Sequence, residues 1–131
     1  MLKKIIHSKR APEPIGPYSQ AIQLNNLIFA SGQVAIDPET GNLINGDVKI
    51  QTKRVLENLR AVLEEAGASL DTVVKTTIYL KQMDDFEVVN EIYAGYFNRS
   101  LPARSTIEVA RLPKDVLIEI DCIAHSAGSS G

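Results

Sequence analysis

The sequence predicts an α+β fold, with one mixed sheet and two helices on one face of that sheet. Two stretches have the helical spacing of apolar residues, and six short stretches alternate apolar and polar residues. Their order along the chain is β-β-β-α-β-α-β-β, which is typical of a two-layer sandwich. The chain has 131 residues, 44% of them hydrophobic, which is enough for one core. We expect one domain over residues 1–125 and a flexible tail of small residues over 126–131.

The first three strands are predicted by alternation over residues 2–7, 19–24 and 27–36. The pair Asn25-Asn26 separates the second strand from the third. Asparagine tolerates a positive φ, so this pair predicts a tight hairpin turn.

The first helix is predicted over residues 47–66, where apolar residues recur at i, i+3 and i+4. Gly67 follows, where a left-handed residue commonly ends a helix. The second helix is predicted over residues 85–98, and the spacing of Asp84 and Glu87 resembles a capping box. The remaining strands are predicted over 72–80, 105–110 and 116–124.

Successive side chains of a strand point to opposite faces of the sheet, so the strands provide two sets of residues. The apolar set should lie under the helices: Ile22, Leu24, Ile28, Ala30, Val34, Ile36, Val74, Ile78, Leu80, Ile107, Val109, Ile118, Ile120 and Cys122. The opposite set mixes apolar and polar groups: Phe29, Ser31, Gln33, Val73, Lys75, Thr77, Tyr79, Arg104, Thr106, Glu108, Leu117, Glu119, Asp121 and Ile123.

Two helices cannot cover both faces of one sheet. A free face that carries Phe29, Tyr79 and Ile123 would be a sizeable apolar patch, and such patches usually mark interfaces. We therefore expect a homo-oligomer assembled through this second face, with its polar residues in clefts between subunits. The alternative is a monomer with an ordinary amphipathic sheet.

Composition excludes several classes of protein. The net charge of -2, without a block of like charge, gives no electrostatic footprint for nucleic acid. No apolar run is long enough for a membrane span or a signal peptide. Cys122 is the single cysteine, which fits a reducing, cytoplasmic location and a buried structural thiol. No residues have the spacing of metal ligands, so we expect no metal, and there is no glycine-rich phosphate loop.

Arg104 and Glu119 are the candidate catalytic pair. Pro102 fixes the backbone just before Arg104, and an arginine there could hold a carboxylate by two parallel hydrogen bonds. Glu119 on the next strand could serve as general acid or base. If both share a cleft with Ser31 and Thr106, the site would suit a small carboxylate-bearing molecule. Residue type alone leaves open that Arg104 and Glu119 are ordinary solvated side chains.

Several segments, in order and without gaps, carry a resemblance to a known family. They include Gly16-Pro17-Tyr18-Ser19-Gln20-Ala21, Phe29-Ala30-Ser31-Gly32-Gln33, Val74-Lys75-Thr76-Thr77-Ile78-Tyr79-Leu80, Pro102-Ala103-Arg104-Ser105 and Ile118-Glu119-Ile120. The chain closely resembles the RidA (YjgF-type) family of enamine/imine deaminases over nearly its whole length except the tail.

The resemblance implies a chorismate-mutase-like homotrimer with active sites between subunits. It implies hydrolysis of 2-aminoacrylate and related 2-imino acids, such as 2-iminopropanoate and 2-iminobutanoate, to 2-keto acids and ammonia. The family uses no cofactor, and its role is the removal of reactive metabolites.

The resemblance also implies roles for residues. Arg104 would clamp the substrate carboxylate, and Glu119 would activate the attacking water and return a proton to the leaving ammonia. Tyr18 would close the mouth of the cleft. Further substrate-binding positions are Ser31, Gly32, Asn90 and Thr106. Many relatives have cysteine in place of Thr106, so a redox switch at that position is not expected here.

Two other functions stay open from the sequence. The same cleft could bind a keto acid without turnover, as a regulatory protein would. A translation-inhibiting ribonuclease is less favoured, because the chain carries a net charge of -2 and lacks a histidine-based acid/base pair.

Overall fold

A computed structural model of the protein describes residues 2–126. Its six strands form one sheet in the order β1-β2-β3-β6-β4-β5, and two helices pack on it. Only β4 and β5 run parallel, and the other neighbouring pairs are antiparallel. The predicted α+β class with one mixed sheet and two helices is therefore confirmed. The elements are β1 Lys3–Ile6, β2 Ala21–Leu24, β3 Leu27–Gln33, α1 Val48–Glu65, β4 Val73–Leu80, α2 Phe86–Tyr96, β5 Ala103–Glu108 and β6 Ile118–His125.

Both ends of α1 follow local chemistry. The Asp47 side chain accepts a hydrogen bond from the Ile50 backbone nitrogen at 3.0 Å, which satisfies one of the free N–H groups at the start of the helix. Gly67 has a φ of 76°, and Ala68 N donates to Leu63 O at 2.9 Å. The predicted glycine at the end of this helix is confirmed.

The capping box predicted for α2 is wrong. Residues Met83–Asp85 form a short 3-10 turn, and Asp85 becomes the N-cap without a side-chain hydrogen bond to the helix. The turn uses Asp84 as one of its own residues, so Asp84 cannot cap α2.

The main core lies between the helices and the sheet. Leu56, Leu59 and Leu63 of α1 meet strand residues such as Ile78 and Ile118, and all of them are fully buried. Burying each such side chain is worth about 1.5–3 kcal/mol. Cys122 is buried in the same core, as predicted, and this burial raises the pKa of its thiol to about 12.

A bulge in β3 reverses the predicted faces beyond Ala30. Between Ala30 and Gln33, β3 has one residue more than β6 opposite it. Ser31 and Gly32 form this irregularity, and Gln33 is consequently buried on the helix side. The next residues pack in a second, smaller cluster with Leu112 and Val116. The predicted faces are therefore wrong for Gln33, Val34 and Ile36.

Two further strands have residues on the opposite face from the prediction. In β2, Ile22 pairs with Phe29 and so faces away from the helices, and Leu24 follows two residues later on the same face. In β4, an irregularity near the start of the strand leaves Val73 buried and Val74 exposed. The remainder of β4 has its predicted faces, with Ile78 and Leu80 buried, whereas both predicted positions of β2 are reversed.

The edge strand β5 also has its faces opposite to the prediction. Arg104 pairs with Thr76 and Thr106 pairs with Ile78, and both partners are buried beneath the helices. The prediction that Arg104 and Thr106 face away from the helices is therefore wrong. Ile107 takes that position instead and is 44% exposed. β5 has only one neighbour and lies at the rim of the helix layer, where polar side chains can face the helices and still reach solvent.

The face of the sheet away from the helices is called the open face below. Phe29 on this face is 42% exposed, as expected for an uncovered apolar patch. Within residues 2–126, no helix is both long enough and apolar enough to cross a membrane. The predicted tail lies outside the described residues, except for Ser126.

Candidate active site

The predicted site residues form two separate groups on the protein. The first group surrounds Glu119 on the open face, in a cleft of about 320 Å³. The cleft is lined by Ile15, Tyr18, Ser31, Gly32, Val34, Pro113 and Glu119.

Glu119 rests directly on Gly32. A Cβ atom added to Gly32 would overlap the Glu119 carboxylate and would lie 2.9 Å from its Cγ. Glycine is needed here because the bulge brings the backbone of β3 against this side chain. The same contact confines the Glu119 carboxylate to a position beside Tyr18 and Ser31.

Glu119 is half-buried, and its pKa is raised above the ordinary value for glutamate. Loss of hydration is the main cause, and the negative charge of Asp121 on the same face of β6 adds to it. Asp121 itself accepts a hydrogen bond from the Tyr79 hydroxyl at 2.9 Å. Tyr79 lies opposite Glu119 on β4, and the hydrogen bond to Asp121 raises the pKa of Tyr79. A carboxylate with raised proton affinity is suited to acid–base chemistry.

Tyr18 lines this cleft and belongs to a loop that is stabilised by hydrogen bonds. Its hydroxyl accepts a hydrogen bond from Ile15 N at 3.2 Å, and its backbone nitrogen donates to Gly16 O at 2.8 Å. Ser31 donates to Ser19 O at 2.7 Å, so its hydroxyl ties the bulge to the same loop.

The second group surrounds Arg104 on the helix side of β5. The Arg104 Nη1 group donates to Asn90 Oδ1 on α2 at 2.7 Å. The guanidinium carbon lies 4.9 Å from the centre of the Tyr93 ring and 5.5 Å from that of Phe86. Among residues 2–126, no carboxylate lies within ion-pair distance of Arg104. Its other donors remain available for an anion.

Thr106 belongs to this second group. It lines a cleft of about 420 Å³ together with Met83, Asp84, Phe86 and Glu87. Its hydroxyl oxygen is buried and has no hydrogen-bond partner within residues 2–126. A buried hydroxyl without a partner carries a desolvation cost, so it is a candidate contact for a bound molecule.

The sheet itself separates the two groups. Within one chain, Tyr18, Ser31, Gly32 and Glu119 come together, and so do Asn90, Arg104 and Thr106. Arg104 faces the helices whereas Glu119 faces away from them, with β4 between their strands. One chain therefore does not assemble the complete predicted pair.

Sequence reasoning missed three contributors. Phe86 and Tyr93 flank Arg104, and their spacing with Asn90, at i, i+4 and i+7 on one helix face, was a usable signal. Asp121 lies two residues from Glu119 on the same strand face, as alternation predicted, but its electrostatic effect on Glu119 was not predicted.

Comparison with known proteins matches this chain to one family. The model of the family described as Endoribonuclease L-PSP matches residues 8–126. A RutC family protein of Pyrococcus abyssi is 60% identical over 125 residues, which cover 95% of this chain and 98% of that protein. The 2-iminobutanoate/2-iminopropanoate deaminase of Mus musculus is 48% identical over 124 residues, covering 95% of this chain and 92% of that protein.

Solved structures agree with the fold. The YjgF gene product of E. coli superposes with a TM-score of 0.89 at 46% identity, covering 93% of this chain and 98% of that one. E. coli TdcF, solved with bound serine, gives a TM-score of 0.89 at 41% identity, covering 95% of this chain and 99% of that one. With the family model matching nearly all the described residues, the chain belongs to the Endoribonuclease L-PSP family, which is the RidA (YjgF-type) family.

Proposed function

We propose that the protein is a hydrolytic deaminase of 2-imino acids. It would convert 2-aminoacrylate, as its tautomer 2-iminopropanoate, and 2-iminobutanoate, with one water, to the 2-keto acid and ammonia. The observation that carries the proposal is a pair of complementary half-sites. Arg104 lacks an anionic partner among residues 2–126, and Glu119 has a raised pKa in an open cleft.

Arg104 would bind the substrate carboxylate. Its guanidinium can donate two parallel hydrogen bonds to a carboxylate, which fixes both position and orientation. Asn90 occupies only Nη1 of the group. The buried hydroxyl of Thr106, two residues along the same strand face, is available to the same ligand.

Glu119 would handle the water and the protons. An imine carbon is already electrophilic, so the reaction needs no nucleophilic side chain. Glu119 takes a proton from water as the oxygen attacks that carbon and returns it to the imine nitrogen, giving a neutral tetrahedral carbinolamine. It then accepts the hydroxyl proton of the carbinolamine and delivers it to the amine nitrogen, so the C–N bond breaks as the C=O bond forms, releasing ammonia and the keto acid. One carboxyl can serve both steps when its pKa lies closer to neutrality than usual.

The two half-sites would meet between copies of the chain. Arg104 and Glu119 face opposite sides of the sheet, so an Arg104 from one subunit would complete the Glu119 cleft of another. The exposed Phe29 and Ile107 on the open face offer an apolar surface for this assembly. We propose the homotrimer implied by the family resemblance, with three equivalent clefts.

The relatives support the same chemistry. The mouse relative bears the name of the proposed reaction, and the E. coli relative was solved with serine, an amino acid with the carboxylate that Arg104 would hold. These names support the substrate class, a small 2-imino acid.

The proposal is tested by measuring keto-acid and ammonia release from an imino acid generated in situ by an amino-acid oxidase. We expect the wild-type protein to accelerate hydrolysis, and Arg104→Ala to lower kcat/KM by about a hundredfold or more, since charge-assisted bonds are lost. Arg99→Ala is the control, because Arg99 forms only an exposed ion pair with Asp71. A wild-type protein that binds 2-ketobutyrate but accelerates no imino acid would instead support a binding protein.

A further inference from the structure

The Arg104 side chain is held by one face of α2. Three residues of α2 form a single stripe: Phe86, then Asn90 about one turn later, and Tyr93 about two turns after Phe86. Asn90 accepts a hydrogen bond from the guanidinium, and the rings of Phe86 and Tyr93 lie within cation–π distance of it. An arginine side chain has many rotamers, and these three contacts, one hydrogen bond and two cation–π contacts, select one of them.

The Tyr93 ring is itself fixed. Tyr93 is buried, its hydroxyl lies 2.7 Å from Thr76 Oγ1, and its ring centre is 4.5 Å from that of Phe97. Thr76 is fully buried on β4 and is the residue that pairs with Arg104 of β5. The contacts therefore connect Arg104 back to itself. The backbone of Arg104 pairs with that of Thr76, the Thr76 hydroxyl is hydrogen-bonded to Tyr93, and the Tyr93 ring contacts the Arg104 guanidinium.

We propose that Tyr93, anchored by Thr76, is a positioning residue that presets the orientation of the Arg104 guanidinium for the substrate carboxylate. This inference rests on the proposed function, because it assumes that Arg104 receives a carboxylate. Tyr93 touches no reacting atom and acts only through Arg104. Without the ring, the guanidinium would have to be ordered when substrate binds, and binding would weaken.

The test compares Tyr93→Leu with Tyr93→Phe and with a matched control, Tyr96→Leu. Tyr96 is on the same helix and has its own cation–π contact, 5.3 Å from Arg60, but no contact with Arg104. We expect Tyr93→Leu to raise KM and the Kd for 2-ketobutyrate about tenfold, the usual size of a cation–π contribution at a partly desolvated site. Tyr93→Phe, which keeps the ring, should stay within about threefold of wild type. Tyr96→Leu should change neither constant.

A second readout needs no ligand. The Arg104 Nε–Hε resonance, assigned by its loss in Arg104→Lys, should be sharp in the wild type and broadened in Tyr93→Leu. If the wild type neither turns over imino acids nor binds 2-ketobutyrate, the proposed function fails, and this resonance alone then decides the positioning role. A folded Tyr93→Leu with wild-type constants and an unchanged resonance would overturn the inference.

If Tyr93→Leu does not fold, Thr76→Val replaces it. This change removes only the hydroxyl that anchors Tyr93, so we expect a rise in Kd of about two- to threefold, together with a shifted or broadened Arg104 resonance. An unchanged Kd and resonance in Thr76→Val would overturn the inference equally.

Discussion

At the scale of single residues, the contact between Gly32 and Glu119 links the backbone geometry of β3 to the position of the proposed catalytic carboxylate. The bulge in β3 leaves no room for a Cβ at position 32, because that atom would occupy the space of the Glu119 carboxylate. Adding a methyl group at position 32 therefore tests whether this glycine fixes the position of Glu119.

Gly32→Ala should displace Glu119 and reduce turnover about a hundredfold, since a shift of about 1 Å is enough for such a loss. The displaced atoms are the end of a flexible side chain, so the fold should survive with little change in Tm. Gly95→Ala is the control, because a Cβ there meets no atom within 4 Å. Steady-state kinetics and thermal unfolding of both variants check this, and full activity in Gly32→Ala would contradict the assigned place of Glu119.

The pH dependence of turnover should report the Glu119–Asp121 pair. As the base for water, Glu119 must be ionised, so activity falls as pH drops through its folded-state pKa. Desolvation and the charge of Asp121 raise that pKa. Asp121→Asn removes the charge, so the acidic limb of the kcat/KM profile should move to lower pH.

The control for this experiment is an aspartate far from Glu119. The groups that face Glu119 on the sheet are Asp121, Tyr79, which lies opposite on β4 and donates a hydrogen bond to Asp121, and Lys75 further along the same face. Asp71→Asn, on an exposed turn beside Arg99, should leave the limb where it is. An acidic limb that does not move in Asp121→Asn would show that another group controls it.

At the residue scale, the sequence was informative only where motifs existed. The family resemblance selected Arg104 and Glu119, and their chemistry could be argued from residue type. The supporting groups Tyr93 and Asp121 carry no motif of their own. They act through distances across elements, to Arg104 and Glu119 respectively, which no local pattern specifies.

At the scale of elements, alternation located all six strands but misassigned the faces of several. A strand has a period of two, so one extra residue reverses every side chain beyond it. The bulge between Ala30 and Gln33 does this in β3, and the irregularity after Val73 leaves Val73 and Val74 out of phase with the rest of β4. Nothing in the order of apolar residues announces either insertion, although Gly32 inside a strand was a hint.

The error in β5 has a different cause. An edge strand is covered on fewer sides, so burial does not decide which of its faces carries the polar residues. Ile107 faces the open side, and Arg104 faces α2. Only the hydrogen-bond register with β4 fixes this phase.

The start of α1 provides a prediction about stability. Asp47→Ala removes the hydrogen bond to Ile50 N and should lower the free energy of unfolding by about 1 kcal/mol. Asp85→Ala is the control, since Asp85 holds the same position on α2 without a side-chain bond. Urea unfolding followed by circular dichroism compares them. Equal losses, or none, would contradict the capping role of Asp47, and deaminase activity should be unchanged in Asp47→Ala.

At the scale of the whole molecule, the sheet has one face covered by helices and one face left open. The sequence predicted this arrangement, because two helices can cover only one face of a six-stranded sheet. The open face carries the Glu119 cleft and exposed apolar groups, whereas the Arg104 pocket opens beside α2. A single chain keeps these two half-sites apart, so the proposed chemistry requires a second copy.

The most direct test of this account is complementation between subunits. Arg104→Ala and Glu119→Gln should each be inactive alone, because every cleft then lacks one of its two groups. Co-expressed and purified as mixed trimers, they should recover activity, up to about a third of the wild-type value, because each mixed trimer holds one intact cleft out of three. Activity should recover because the Arg104 of one subunit then meets the Glu119 of another. Mixed trimers, identified by native mass spectrometry, that remain inactive would contradict a site shared between copies.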